Sequence, residues 1–269
     1  MSPTVSSIIH KATRFYYDNI TNEYDNLYKD PISYYEDKIV EGVTKKFLNH
    51  HSSPSSVLDL GCGTGFGYEI IKPAEYLGID FSKEMIKKAK HLHPNARFIT
   101  GDFDKTNFPI NSFENVVSFY GSLSHSTDLK NIVAKINQTL APGGRFVLMF
   151  YSRFSLRNII SSIFHLNFEF LSKLRPYQIR NFDKNEPPPI PAYFYSVGDL
   201  KKSFKQFDDI TFYGLNYLAE LPLIKSFLKR NKKLAELILN LEFRAIGKLA
   251  PNLGYSIIVL GKKESSNAS

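Results

Sequence analysis

The chain has 269 residues, 43% hydrophobic and 22% charged, enough for one sizeable core in a single elaborated domain or two small ones. Its only cysteine, Cys62, excludes an intrachain disulfide; with no signal-peptide core and no apolar run near the ~20 residues of a membrane span, the expectation is a cytoplasmic protein. The net charge of +8 is uneven: residues 152–192 and 219–263 contribute +3 and +6 and the rest −1, so an anionic partner is expected to meet those two segments.

Ile32, Tyr35, Ile39, Val43 and Phe47 mark a helical face, ended by the His-Ser-Ser-Pro break at 51–54. Val57–Leu60 reads as a strand, followed by a turn in which Gly61, Gly63, Gly65 and Gly67 alternate with Cys62, Thr64 and Phe66. Glycine lets backbone approach a ligand closely and tolerates positive φ. The dinucleotide pattern GxGxxG fails here in both registers, because Phe66 or Tyr68 stands where its last glycine belongs. A second strand, EYLGID, ends at Asp80, and Ser82 is placed to cap a helix burying Met85 and Ala89. ARFITGDF and FENVVSFYG read as the third and fourth strands, and GGRFVLMFY as the fifth, after a Pro142-Gly143-Gly144 turn. Between the last two, Leu129, Ile132, Val133, Ile136 and Leu140 form one helical stripe.

Strands separated by helices imply a parallel sheet covered on both faces. The regularity breaks in two inserts. Residues 156–174 read as a helix followed by an extended linker around EPPPIP, which proline drives towards polyproline geometry. After a short helix near Val197 and the strand DDITFYG, residues 219–251 carry an amphipathic helix with Leu234, Leu237, Ile238, Leu241, Ala245 and Leu249 on its stripe. LGYSIIVLGKK supplies a last strand and ESSNAS a frayed tail; no internal repeat is visible.

The glycine turn resembles motif I, hhDxGxGxG, of the class I S-adenosylmethionine-dependent methyltransferases, at Asp59, Gly61, Gly63 and Gly65. The resemblance covers residues 10–150 well and the C-terminal strands more loosely. It continues through Asp80, Asp102-Phe103, the FYGSLSH segment and the PGG turn, in that order. It implies an α/β, doubly wound, Rossmann-like, seven-stranded and mostly parallel sheet with the last strand antiparallel, plus helical cap inserts. Residues 1–269 then form a single methyltransferase domain with an N-terminal helical cap over 1–50 and cap inserts at 152–192 and 219–251.

S-adenosylmethionine is a cation without phosphate, so acidic residues around it are favourable. The resemblance implies that Asp59 orients the methionine ammonium, Asp80 accepts both ribose hydroxyls and Asp102 meets the adenine amino group beside Phe103. Gly61, Cys62, Gly63 and Gly65 shape the loop, with Cys62 a small loop residue without thiol chemistry. Tyr16, Tyr24, Phe81, Met85, Phe119 and Tyr120 complete the expected cofactor site. On the acceptor side stand Tyr28, His125, Tyr151 and Arg153, with His125 the candidate general base, since imidazole titrates near neutrality. No metal is expected, for there is no HExxH or paired-cysteine pattern.

The expected activity is methyl transfer from S-adenosylmethionine to an oxygen or nitrogen of a small-molecule acceptor. An RNA methyltransferase would turn the basic inserts to phosphates, although no RNA-binding module is visible, and a noncatalytic partner subunit would have no need of all three aspartates. The apolar stripes of the inserts also allow a lid with peripheral membrane contact. The oligomeric state is not readable.

Overall fold

The computed structural model describes residues 5–48, 56–164, 174–180 and 190–265. In chain order it comprises α1 (Val5–Leu27), α2 (Pro31–Leu48), β1 (Ser56–Leu60), α3 (Phe66–Ile71), β2 (Glu75–Asp80), α4 (Lys83–Leu92) and β3 (Arg97–Thr100). β4 (Phe113–Ser118), a 3-10 turn (Ser122–His125), α5 (Leu129–Thr139), β5 (Leu140–Tyr151), α6 (Leu156–Phe164), β6 (Tyr177–Arg180) and β7 (Ile190–Tyr193) follow. The chain continues through α7 (Val197–Ser203), β8 (Asp208–Leu215), α8 (Pro222–Leu228), α9 (Lys232–Ile246) and β9 (Ser256–Lys262).

Seven strands form one sheet in the order β3-β2-β1-β4-β5-β9-β8, while β6 and β7 pair as a separate antiparallel hairpin. β1 to β5 run parallel and β9 is antiparallel to both β5 and β8, as the resemblance implied. Period-2 alternation sends β5 residues to two cores: Phe146, Leu148 and Phe150 face α5 and α7, whereas Val147 and Met149 face the core shared with α2, α3, α8 and α9. The chain order reverses between β1 and β4, which opens a crevice at the strands' carboxyl ends.

Local chemistry sets the helix starts. The Ser82 hydroxyl accepts from Met85 N–H, the Asp128 carboxylate from Asn131 N–H and the Asn231 side chain from Leu234 N–H; Ser196 and Asp199 form a reciprocal capping box at α7.

Four expectations are corrected. Leu140 is the first residue of β5, not the end of a helical stripe, and the strand runs through Pro142-Gly143-Gly144. Gly101, Asp102 and Phe103 lie beyond β3, in a turn where Lys105 N–H and Thr106 N–H both bond the Asp102 carbonyl. Of EPPPIP, residues 186–189 lie outside the described residues; Ile190 and Pro191 stand in β7, opposite Arg180 and Ile179, rather than in a polyproline linker. Likewise the helix expected over 156–174 is described to Phe164, and residues 165–173 lie outside the described residues. In α9 the packed face is Ala235, Leu239 and Glu242 with Leu234, Ile238 and Phe243 partly buried, while Leu237 and Leu241 are exposed and Leu249, also exposed, lies beyond the helix end at Ile246. Counting leucines rotated the stripe because Glu242 is drawn inward to accept Tyr217 N–H and Leu218 N–H.

Leu148 is fully buried at the centre of the sheet and Leu223 on α8 is 89% exposed. Leu148→Ala should therefore cost about 2–5 kcal/mol in urea unfolding, and Leu223→Ala should stay within about 0.5 kcal/mol of the parent.

Candidate functional site

β1 delivers Asp59 to the crevice, and the chain then turns through Gly61, Gly63 and Gly65 at φ of 76°, 51° and 102°. These are left-handed conformations that side chains resist. Gly61 N–H and Cys62 N–H both donate to the Ile79 carbonyl, clamping the loop to β2. A Cβ at Gly61 would stand 2.3 Å from Ser122 Cβ, and one at Gly67 would stand 2.2 Å from Asp59 Oδ2.

Two buried carboxylates meet at this loop. Asp59 Oδ2 accepts the Tyr76 hydroxyl at 2.6 Å, and Asp59 Oδ1 has no hydrogen-bond partner. Burial, reinforced by repulsion from Asp80 and opposed by Tyr76, pushes the Asp59 carboxyl up to about 7. Asp80 accepts Gly63 N–H on Oδ2 at 3.0 Å and Ser82 N–H on Oδ1 at 2.9 Å; burial outweighs both and raises it to about 6. Burial also pushes the Cys62 thiol well above its ordinary range, so it stays protonated.

From this loop a cleft of about 840 Å³ extends under α1, α2 and α8 towards the ends of β4 and β5 and the start of β9. Tyr24, Asp59, Gly61, Cys62, Gly63, Asp80, Phe81, Met85, Phe119, Tyr120, Tyr28, His125 and Tyr151 all line it. A chain of edge-on rings joins its two ends: Tyr17 lies 6.3 Å from Phe81 and 6.2 Å from His125, and His125 lies 5.9 Å from Tyr151. His125 Nδ1 is 3.0 Å from the Pro191 carbonyl. A carbonyl only accepts, so Nδ1 carries the hydrogen and the neutral ring's lone pair is on Nε2.

Five nominated residues stand elsewhere. Tyr16 turns away from the cleft to pack with Ile20, Met85 and Ile190, leaving Tyr17, the next residue round α1, on the wall. Gly65 lies behind the loop against His93 and Phe98 and serves as the N-cap of α3. Phe103 is buried in the core with Leu58 and Leu60. Arg153 is tied to Asp199 and Ser196, while Arg157, one turn later, lines the cleft and pairs with Glu220 at 3.1 Å. Asp102 faces α1, where His10 Nδ1 sits 2.9 Å from Oδ2 and Lys105 Nζ 3.0 Å. Although burial opposes it, this pairing with His10 and Lys105 holds the Asp102 carboxyl down at about 2.

His10, Asp102 and Asp104 are the one His/Asp group among the described residues whose donor atoms gather within 4.8 Å. Both imidazole nitrogens already face carboxylates, Nε2 lying 3.4 Å from Asp104, and the bonds to Asp102 and Asp104 raise His10 to about 9. The arrangement is that of an imidazolium ion pair, which fastens α1 to the turn after β3. Glu36, Asp37 and Glu220 also stand on the cleft wall, and no local sequence signal marks them. Glu36 and Asp37 lie on the helical stretch already read from Ile32 and Ile39, but only tertiary packing shows which carboxylates turn inward.

A methyltransferase-domain family profile matches residues 57–144, the glycine loop through the start of β5. The chain belongs to the class I S-adenosylmethionine-dependent methyltransferases. An uncharacterized Methanocaldococcus jannaschii protein is 30% identical over 224 residues, covering 80% of this chain and 84% of its own. An uncharacterized Bacillus thuringiensis methyltransferase is 36% identical over 135 residues, 49% of this chain and 60% of its own length. A protein solved in complex with the Haloferax volcanii Trm112 methyltransferase activator shares the fold with a TM-score of 0.60 at 16% identity, over 97% of this chain and all of that one. A Thermotoga maritima S-adenosylmethionine-dependent methyltransferase gives 0.57 at 14%, over 93% of this chain and 99% of that one. Haemonchus contortus phosphoethanolamine N-methyltransferase 2, solved with S-adenosylhomocysteine, gives 0.54 at 16%, over 85% of this chain and 53% of its own. Haemonchus contortus phosphoethanolamine N-methyltransferase 2 has been solved on this fold with S-adenosyl-L-methionine as well, and none of the described helices of this chain is long and apolar enough to cross a membrane.

The raised His10 value ties the docking of α1 to pH. With a folded value near 9 against an ordinary 6.5, the contribution is full below pH 6.5 and is lost as pH rises through 9. The gap in Tm between the parent and His10→Gln, measured in a pH series, should therefore close above pH 9; a gap unchanged there would contradict the ion pair.

Proposed function

We propose that the methyltransferase transfers its methyl group to an oxygen or nitrogen of a small-molecule acceptor enclosed in this cleft. The observation that carries the reading is the continuity of the cleft. One roofed space of about 840 Å³ runs from Asp59 and Asp80 to Tyr151 and Glu220, the size of a pocket holding a small ligand. In this reading the Asp59 Oδ1 atom, buried and without a donor, receives the methionine ammonium. Each Asp80 oxygen, having accepted one backbone N–H, retains a lone pair for a ribose hydroxyl. Phe81 and Met85 wall the adenosine, and Gly61 and Gly63 let the backbone pass the methionine moiety. Asp102 and Phe103, which do not line the cleft, act behind it, Asp102 by holding α1 through His10.

S-adenosylmethionine supplies an activated methyl on sulfur, so the protein's task is to align acceptor and methyl for in-line displacement and to exclude water. Tyr17, Tyr24 and Tyr28 close the cleft from above, where ring faces favour a cationic sulfur. His125 is held in one orientation by Pro191 and by rings on either side, with Nε2 as the acceptor of a proton from an acceptor hydroxyl or ammonium. A second reading draws on the Haloferax volcanii complex: the enzyme would work with an activator subunit on a larger acceptor, and the purified chain would then need that partner for turnover.

Isothermal titration calorimetry with S-adenosylhomocysteine should show Asp80→Ala losing about 1–3 kcal/mol of binding, the scale of lost charge-assisted hydrogen bonds. His125→Gln should leave that affinity intact and lower turnover by about 100-fold or more. Unchanged affinity in the first variant would refute the ribose assignment, and full activity in the second the proton-transfer role.

A further inference from the structure

The far end of the cleft is chemically distinct from its cofactor end. Seven carboxylates and four Lys/Arg side chains line the whole cleft, an acidic balance inside a chain whose net charge is +8. Most of these carboxylates are answered. Asp59 and Asp80 belong to the cofactor loop, Glu69 is exposed, and Asp37 accepts the Tyr120 hydroxyl. Glu220 is held by Arg157 at 3.1 Å and Lys225 at 2.9 Å, and Asp30 caps α2 and meets Lys229 at 3.3 Å. Glu36 lies deeper on the wall: among the described residues no Lys or Arg is within ion-pair distance of it, Lys225 acts on it only through its charge, and its side-chain hydrogen bond is to the Asn216 amide.

That amide supplies an independent observation. Asn216 is 3% exposed, and its Oδ1 has no hydrogen-bond partner. If its nitrogen serves Glu36, the amide oxygen is left without a donor, beside a partly buried carboxylate that has this one donor and acceptor capacity to spare. Tyrosine rings form the surrounding walls, and two of them already receive cations from the protein: Lys232 lies 4.9 Å from the Tyr34 ring and Arg157 5.6 Å from the Tyr255 ring. A carboxylate with acceptor capacity to spare and no cation at ion-pair distance, inside aromatic walls, suits an ammonium group and disfavours a carboxylate or phosphate.

We propose that the acceptor is an amine, bound as its ammonium ion by Glu36 between the tyrosine walls of the cleft. This rests on the cleft being the acceptor site. Burial, reinforced by Glu220, raises the Glu36 carboxyl to about 8, so near neutrality it holds a proton that an incoming ammonium displaces. For transfer the ammonium first gives one proton to a base in the cleft. The amine lone pair then forms the nitrogen–carbon bond to the methyl as the carbon–sulfur bond breaks. The bonding pair stays on sulfur, giving S-adenosylhomocysteine and a methylated ammonium, and the base returns its proton to water.

The test is calorimetry on the full chain saturated with S-adenosylhomocysteine. Ethanolamine, 1,4-diaminobutane and 2-phenylethylamine are compared with ethylene glycol, 1,4-butanediol and 2-phenylethanol, in two buffers of different ionisation enthalpy near neutral pH. The proposal expects at least one amine to bind about tenfold or more tighter than its alcohol, the step of one charge-assisted hydrogen bond, with proton release into buffer. Glu36→Gln, of the same shape and uncharged, should abolish that preference and leave S-adenosylhomocysteine affinity unchanged. Alcohols binding as well as amines, amine binding indifferent to Glu36→Gln, or no amine binding at millimolar concentration while S-adenosylhomocysteine binds would each overturn it. Failure of S-adenosylhomocysteine itself to bind would instead sink the underlying reading of the cleft.

Discussion

Two carboxylates buried side by side at the ends of neighbouring strands are the constraint on which the rest of this molecule depends. β1 and β2 pair with Asp59 opposite Gly78, which sets Asp80 one pleat further along the same direction. Taking ionised carboxylates out of water costs several kcal/mol each unless they are hydrogen-bonded and paired. Tyr76, Gly63 N–H and Ser82 N–H meet part of that cost, and the remainder shows as carboxyls raised to about 7 and 6. The glycine loop follows from the same requirement. Only a chain free of Cβ atoms at Gly61 and Gly67 can wrap these acids while Ser122 and Asp59 stand where they do.

The second consequence is that the site needs a roof. α1 lies over the strand ends and is fastened by polar contacts at both of its flanks: His10 to Asp102 and Asp104, Asp18 to the Ser82 hydroxyl and the Thr21 carbonyl to Lys88. Between them Tyr16 and Ile20 pack on Met85 and Ile190, so one face of the helix is apolar anchor and the next is cleft wall. α2 belongs to the roof and to the core at once. Ile32, Ile39, Val40 and Leu48 pack inward, while Glu36 and Asp37 face the cleft. Charge is sorted in the same way, with basic residues concentrated on the outer segments and acids on the cleft wall, an arrangement matched to a cationic cofactor.

The fold was legible because its signals are local. Alternating strands and helices, the glycine turn after β1 and Asp80 at a strand end are each set by backbone geometry within a few residues, and the structure has each of these elements at that place in the chain. Side chains on helices were harder. Tyr16 and Tyr17 differ by about 100° of helix rotation, and Arg153 and Arg157 by one turn, so which of each pair reaches the cleft depends on how the helix or loop docks. Asp102 was misplaced for a longer-range reason: its partner, His10, is 92 positions away and nothing near either residue announces the pair. Glu36 went unnoticed because an isolated glutamate on an amphipathic helix reads as solvated until tertiary packing brings Asn216, Glu220 and Lys225 of α8 to it.

The central claim is that Asp59 and Asp80 are acids held partly protonated until the cofactor's donors arrive. Its most direct measurement is proton linkage in S-adenosylhomocysteine binding, from calorimetry in buffers of different ionisation enthalpy across a pH series. With carboxyls at about 7 and 6, binding should release protons in that range and the release should fade well above pH 7. Binding with no proton release between pH 6 and 7, or no binding at all, would contradict the account.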